Sequence, residues 1–352
     1  MAYSNQALRR IQISNVEGTP GTAEAATEIL FGTVKIPLQD VVHHTPEQDR
    51  NSLAEIVELP FLVSKFIEGI EFEGDLYDRL MVFIAANSIR GNVTGVSAGG
   101  SKPLEIIHTY EPGLTTLNTP DIANGIDTFT LEVGDNVQAY EIEYCVSTKV
   151  EIEFETGGDD DAVVTVKWTV MGRQLTSTTF TAALSEPTAA YFPANLVKLY
   201  IDTSYAGMGG TVKEGVLRAG KWTFEPMFTA RFAADGTYLF SGISESKKAP
   251  ELELTYYRDS TIVEAELVKH KATPKTKSFI RLLLTSGSAE MDAAQSNPPY
   301  VKLDGAYIIT EFPELEEEDG TGVVTVTYRG VKDVTSGKMM SVIIGTLMTA
   351  FA

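Results

Sequence analysis

The chain has 352 residues, of which 43% are hydrophobic and 22% charged, and a formal net charge of −20. That balance supports a packed core and excludes a wholly disordered chain, while so acidic a surface argues against broad phosphate binding, which needs clustered lysine and arginine. The one cysteine, Cys145, excludes an intrachain disulfide, and the length suggests roughly two domains at ~150 residues each.

Residues 1–10 lack the apolar core of a signal peptide. The longest apolar run, 341–352, is shorter than the ~20 residues that span a bilayer as a helix. The expectation is a protein made in the cytoplasm, without a membrane anchor.

In chain order, Val16-Glu-Gly-Thr-Pro-Gly-Thr22 is rich in turn formers and reads as part of a flexible opening arm. Residues 29–38 alternate and read as a strand, 39–59 as a polar loop containing His43 and His44, and 61–72 as a strand with Ile70 and Phe72 opposite Glu71 and Glu73. Residues 75–89 carry the strongest helical signal. Asp75 is positioned to cap, Asp78 sits in the first turn, Leu76, Leu80, Phe83, Ile84 and Asn87 share one face, and Gly91 follows. The expected role is a helix covering one face of a sheet.

Residues 92–103 and 111–127 read as loops around a strand at 104–110. Strands follow at 128–133 and 139–154. In the latter Val150, Ile152 and Phe154 alternate with Glu151 and Glu153, the period-2 sign of a half-buried strand. Residues 177–193, rich in Thr, Ser, Ala and proline, read as a boundary, giving a first domain at 1–185 with long loops and a second at 186–352. The second half reads as a strand at 196–202, a glycine-rich turn at 207–210, and a long strand at 216–232. In that long strand Pro226 suggests an edge or bulge. A hairpin follows around Asp235-Gly236. Then come a strand at 251–255, a helix at 259–271 capped by Asp259 or Ser260, a strand at 278–285 and a last strand at 339–351.

The same hairpin occurs twice. Residues 146–154, an acidic loop with Asp159, Asp160 and Asp161, and 163–168 are matched by 307–312, an acidic loop with Glu316, Glu317, Glu318 and Asp319, and 323–328. Val164, Val166 and Trp168 are in phase with Val324, Val326 and Tyr328. Each hairpin is preceded by a strand and a helix in the same order. The fold expected is mainly β, with two halves that share an order of elements, each with a helix.

Few residues suggest chemistry. Consecutive aspartates such as Asp159 to Asp161 point in different directions and make a poor calcium loop; solvated hairpin tips explain them better, and the same holds for 314–319. His43 and His44 have no partners at metal spacing, Cys145 has no oriented histidine and reads as a small buried hydrophobe, and neither a GxSxG elbow nor a phosphate loop occurs. No cofactor is expected. Trp168, Trp222, Tyr256, Tyr257 and Tyr328 could form a glycan-binding stripe, although their alternation favours core or subunit packing.

Several stretches together resemble the tail tube (major tail) proteins of long-tailed, non-contractile bacteriophages. They are Glu17-Gly-Thr-Pro-Gly-Thr22, His108-Thr-Tyr-Glu-Pro112 with Phe129-Thr-Leu-Glu132 and 140–154, and the strand 163–173 ending Met171-Gly172-Arg173. In the second half they are Pro250-Glu-Leu-Glu-Leu254, the helix through Lys271, and Phe279-Ile-Arg-Leu282. The resemblance implies two tandem β-sandwich or barrel-like tube domains, each with a flanking helix, in a non-enzymatic subunit whose hairpins join, in stacked rings, into one inner β-barrel through which double-stranded DNA passes without specific binding. It also implies a tape measure protein and a tail terminator as partners, and a place in the virion tail. Two tube domains per chain would make a trimer a pseudo-hexameric ring; one domain would require a homohexamer. The expected lumen-facing residues are Lys149, Glu151, Glu153, Thr165, Lys167, Glu311, Thr325, Thr327 and Arg329, a mixed set that is not uniformly negative. The acidic tips (Asp159, Asp160, Asp161, Glu316, Glu317, Glu318, Asp319) and residues 14–28, 39–59 and 111–127 are the expected ring-to-ring contacts. The alternative from composition is a glycan- or ligand-binding β-sandwich of a virion or secreted surface.

Overall fold

Alternation along the strands turns one set of side chains inward, and those side chains build a mainly β architecture. The computed structural model describes residues 9–35, 40–44, 61–120, 125–157, 163–258, 261–287, 291, 297–313, 316–318 and 321–348. The first half holds β1 (Arg10–Val16), β2 (Ala26–Ile29), β3 (Thr33–Lys35), β4 (Asp40–His44), β5 (Phe61–Asp75), α1 (Asp78–Ser88), β6 (Val96–Gly99), β7 (Lys102–Tyr110), β8 (Phe129–Gly134), β9 (Ala139–Glu155), β10 (Thr165–Gly172) and β11 (Gln174–Thr178). The second half holds β12 (Lys198–Asp202), β13 (Val212–Lys213), β14 (Leu217–Phe224), β15 (Phe228–Arg231), β16 (Gly242–Glu245), β17 (Glu251–Tyr257), α2 (Ile262–Lys271), β18 (Ser278–Thr285), β19 (Tyr300–Glu311), β20 (Glu316–Glu318), β21 (Thr321–Gly330) and β22 (Met340–Thr346).

One antiparallel run of eight strands organises the molecule, in the order β3-β5-β10-β9-β14-β17-β21-β19. Strands from both halves meet within it, where β9 pairs with β14. The pairing pattern itself repeats. In the first half β1 pairs with β2 and β8, β8 with β9, and β9 with β10 and β11. In the second half β12 pairs with β13 and β18, β18 with β19, and β19 with β21 and β22. Register agrees as well. Trp168 lies opposite Phe72 and Val150, while Tyr328 lies opposite Leu252 and Ile309. These two aromatic rings are buried at 1% and 0% exposure.

Each ring also passes its polar atom towards the helix of its own half. Trp168 Nε1 donates to Ser147 Oγ at 2.6 Å, and Ser147 Oγ donates to Asn87 Oδ1 on α1 at 2.8 Å. Tyr328 Oη donates to Glu266 Oε2 on α2 at 3.3 Å. The apolar core that surrounds both rings is continuous between the halves.

Several sequence expectations need correction. Asp75 ends β5 and does not cap the helix; α1 begins at Asp78 behind Tyr77. This helix is buried all round and not on one face only, because strands pack on it from several sides. Asp78 is consequently enclosed. It accepts from Ala190 N at 3.2 Å and Thr346 Oγ1 at 2.5 Å, tying the helix start to two distant segments. Residues 29–38 are not one strand, since β2 and β3 flank a break at Gly32. Residues 40–44, expected as loop, form β4 against β5. The expected long strand at 216–232 is broken at Pro226, which lacks the N–H a ladder needs. There β15 leaves the main run and, among the described residues, pairs only with β16, around the expected Asp235-Gly236 turn. Asp259 and Ser260, proposed as caps of α2, lie outside the described residues.

The opening turn is held in place and is not a free arm. Glu17, 4% exposed, accepts from Gly21 N at 2.7 Å, Thr128 Oγ1 at 2.8 Å, Thr130 Oγ1 at 2.9 Å and Tyr144 N at 2.8 Å. Tyr144 has a positive φ of 54°, the bend at which β9 leaves β8 and β11 to enter the eight-strand run.

A second buried carboxyl supports α1. Asp127 carries the carbonyl that accepts from Asn87 Nδ2 at 2.8 Å, and its own carboxylate accepts from Asn92 N at 3.0 Å. Burial pushes its pKa up to about 6 from 3.8. The folded state therefore binds this proton more tightly than the unfolded chain does. Its contribution to stability is greatest below pH ~4, declines as the pH rises to ~6, and is flat beyond, a change of about 3 kcal/mol at most. Asp127→Asn should therefore gain on the natural chain by about 1–3 kcal/mol between pH 4 and pH 7.5. Urea unfolding at both pH values measures this; a difference that does not change with pH would refute it.

Candidate functional site

The eight-strand run has one apolar and one polar face, and the polar face is the candidate site. Registry across the strands puts side chains in rows. One row runs Thr33, Glu73, Lys167, Glu151, Thr223, Glu251, Arg329. The next runs Asp75, Thr165, Glu153, Lys221, Glu253, Thr327, Glu311. Flanking rows hold Lys35, Glu71, Thr169 and Lys149 on one side, and Glu155, Ala219, Thr255 and Thr325 on the other.

All nine residues nominated from the sequence (Lys149, Glu151, Glu153, Thr165, Lys167, Glu311, Thr325, Thr327, Arg329) thus lie on one face of one sheet. The sequence reading missed what β3, β5, β14 and β17 add: Lys35, Glu71, Glu73, Asp75, Lys221, Thr223, Glu251, Glu253 and Thr255. Their signal was present, because Lys221 and Thr223 alternate with Trp222 and Phe224, and Glu251 and Glu253 with Leu252 and Leu254. Alternation reveals that a strand has two faces but not which strands lie beside it.

The face carries a mixed lattice of charge. Carboxylates outnumber cations nine (Glu71, Glu73, Asp75, Glu151, Glu153, Glu155, Glu251, Glu253, Glu311) to five (Lys35, Lys149, Lys167, Lys221, Arg329). Lys221 Nζ is 2.8 Å from Glu151 and 2.5 Å from Glu153. Lys167 lies 3.7 Å from Glu73 and 3.9 Å from Glu153, and Lys149 3.2 Å from Glu151. Hydrogen bonds that Lys221 donates to Glu151 and then Glu153 raise its pKa above its ordinary value. Partial burial opposes ionisation of Glu151, but the hydrogen bonds from Lys221 and Lys149 outweigh it and hold the carboxyl low. Hollows of about 330 and 200 Å³ open between these side chains, and Lys221 lines both. Lys35, Lys149, Lys167 and Lys221 on this face each lie within 4 Å of a neighbouring carboxylate, which leaves little net attraction for a phosphate chain.

Four of the five candidate glycan-stripe aromatics, Trp168, Trp222, Tyr256 and Tyr328, are buried beneath the sheet; Tyr257 is half-buried. Cys145 is buried, and burial raises its thiol pKa well above the ordinary value. Among the described residues no group of three or more His, Cys, Asp or Glu side chains is placed to hold a metal ion. Of the hairpin tips, Asp159, Asp160, Asp161 and Asp319 lie outside the described residues. Glu316, Glu317 and Glu318 were expected in a loop. They form β20 instead, pairing with β21 and lengthening the hairpin arm. No protein-family model matches the sequence, and comparison with curated proteins gives no match.

Proposed function

We propose that this chain is the structural subunit of a phage tail tube, assembling into stacked rings that form a hollow conduit for double-stranded DNA. The observation that carries the reading is the continuous eight-strand run with one charged face and two outer edges, built from two series of elements in equivalent register. On this reading each series is one tube domain, the charged face lines the lumen, and the helices lie behind the sheet. A sheet with open edges is a template for further pairing, and closure into a barrel removes those edges.

Three copies supply a barrel of about 24 strands, and barrels of ~16–18 strands already leave an aqueous channel. The lining fits passage without capture. Screening acts over about 8 Å at physiological salt, so DNA meets only the lining charges, which are net acidic and largely paired. A tape measure protein and a tail terminator would be the further partners, and the role is architectural, without catalysis or a cofactor.

Electron microscopy of the concentrated full-length protein tests this. Hollow tubes with three subunits per ring are expected. A compact monomer by light scattering, at any concentration reached, would overturn the proposal, and six subunits per ring would overturn the two-domain form of it.

A further inference from the structure

The chain contains a junction between its own two halves that can serve as a template for the junction between copies. Inside the chain, β9 of the first series pairs with β14 of the second: Trp222 lies opposite Ile152, Thr223 opposite Glu151 and Lys221 opposite Glu153. The counterparts of these two strands are the two ends of the run. Val34 on β3 occupies the place of Trp222, because Val34 faces Phe72 and Phe72 faces Trp168, as Trp222 faces Leu252 and Leu252 faces Tyr328. Glu311 on β19 occupies the place of Glu151, because Thr327 faces Glu311 as Lys167 faces Glu151. Among the described residues Thr33–Lys35 pair only with β5, and the stretch from Ile308 to Glu311 pairs only with β21.

We infer that β3 of one copy adds antiparallel to β19 of the next, in the register that sets Lys35 opposite Glu311 and Val34 opposite Phe312. This deepens the tail-tube reading and rests on it. Chemistry on both faces suits the pairing. On the lining side an ammonium meets a carboxylate at the place where Thr223 faces Glu151, one row from the lysine–glutamate contacts that Lys221 makes across the internal junction. On the core side Val34 meets Phe312, which already packs against the apolar core. The ladder has natural limits: Pro313 cannot donate at one end. Beyond the other end Lys275 Nζ donates to Ile309 O at 2.7 Å. A lysine on an edge carbonyl is also a guard against indiscriminate strand addition, which restricts the edge to a partner arriving in this register.

Cysteine cross-linking of the full-length chain tests the register. Directly opposed strand residues have the Cα separation a disulfide requires. The internal equivalent, Thr223→Cys with Glu151→Cys, should form a bond within one chain and serves as the positive control. Lys35→Cys with Glu311→Cys should give, on mild oxidation, a ladder of covalent multimers ending at the closed ring, while each single variant stays uncross-linked. Charge exchange gives a second readout. Lys35→Glu or Glu311→Lys alone should weaken association roughly tenfold, and the two together should restore it. Rings that assemble without this cross-link and without charge rescue would overturn the register and leave the tail-tube reading standing. A protein that remains monomeric would overturn both.

Discussion

Trp168→Ala should lower the melting temperature by about 4–7 °C, the largest loss expected from a single core truncation here. Trp168 fills the space between the eight-strand run and α1, its ring centroid 6.3 Å from that of Phe72 in an edge-on arrangement. Truncating a buried tryptophan costs about 3–5 kcal/mol, since the apolar transfer is lost and the cavity relaxes only in part. A chain of this size loses about 0.7 kcal/mol per degree at its transition, which gives the stated shift. The mutation also removes the donor to Ser147 Oγ, the link between sheet and Asn87 on α1. Trp168→Phe should recover most of the volume but not that hydrogen bond, and so fall between the two. Differential scanning calorimetry of the three proteins measures the series. A shift for the alanine variant below about 1 °C would show that Trp168 does not support the sheet in this way.

Glu17→Ala should be comparably damaging, although Glu17 lies in a turn and contributes nothing to the apolar core. Its carboxylate gathers four donors from three segments, two of them backbone N–H groups. Removing the acceptor leaves those donors buried without it, and each unsatisfied group costs about 1–3 kcal/mol before relaxation. A total of about 3–5 kcal/mol is expected, allowing for water entering the space. Glu17→Gln retains one carbonyl oxygen and should recover part of the loss. Hydrogen exchange provides a local readout. The Tyr144 amide should exchange at least tenfold faster in the alanine variant, because about 1.4 kcal/mol is a factor of ten. Unchanged protection at Tyr144 together with unchanged thermal stability would refute the role assigned to Glu17.

The two series differ in how they hold an aromatic ring against a helix. Trp168 reaches α1 through Ser147, whereas Tyr328 contacts Glu266 directly. Glu266 in turn accepts from Ser278 Oγ at 2.7 Å and lies 2.7 Å from Lys269 Nζ. The shared requirement is a satisfied polar atom beneath an apolar sheet face. Different residues meet it in the two halves, which is why the repeat is faint as sequence identity but plain in the register of pairing.

What the sequence by itself determined is which face of each strand is apolar and where the hairpins fall. Val164, Val166, Trp168 and their counterparts Val324, Val326 and Tyr328 are buried as their two-residue period requires. The mainly β class and the burial of Cys145 followed from the same local signals, and the one-faced charge of the nine nominated residues was legible within each hairpin. Lateral order was decided only by tertiary structure, because period-2 alternation is identical whichever strand lies alongside. The insertion of β14 and β17 between the two hairpins therefore had no local signature, and neither did the Lys221 bridge to Glu151 and Glu153. The same reason covers Glu17. Its turn formers were visible, but the four donors that fix it come from residues adjacent only in the folded chain. The helix start moved from Asp75 to Asp78 because strand pairing with Thr165 claimed Asp75, a tertiary contact that outweighs a capping preference of about 1 kcal/mol.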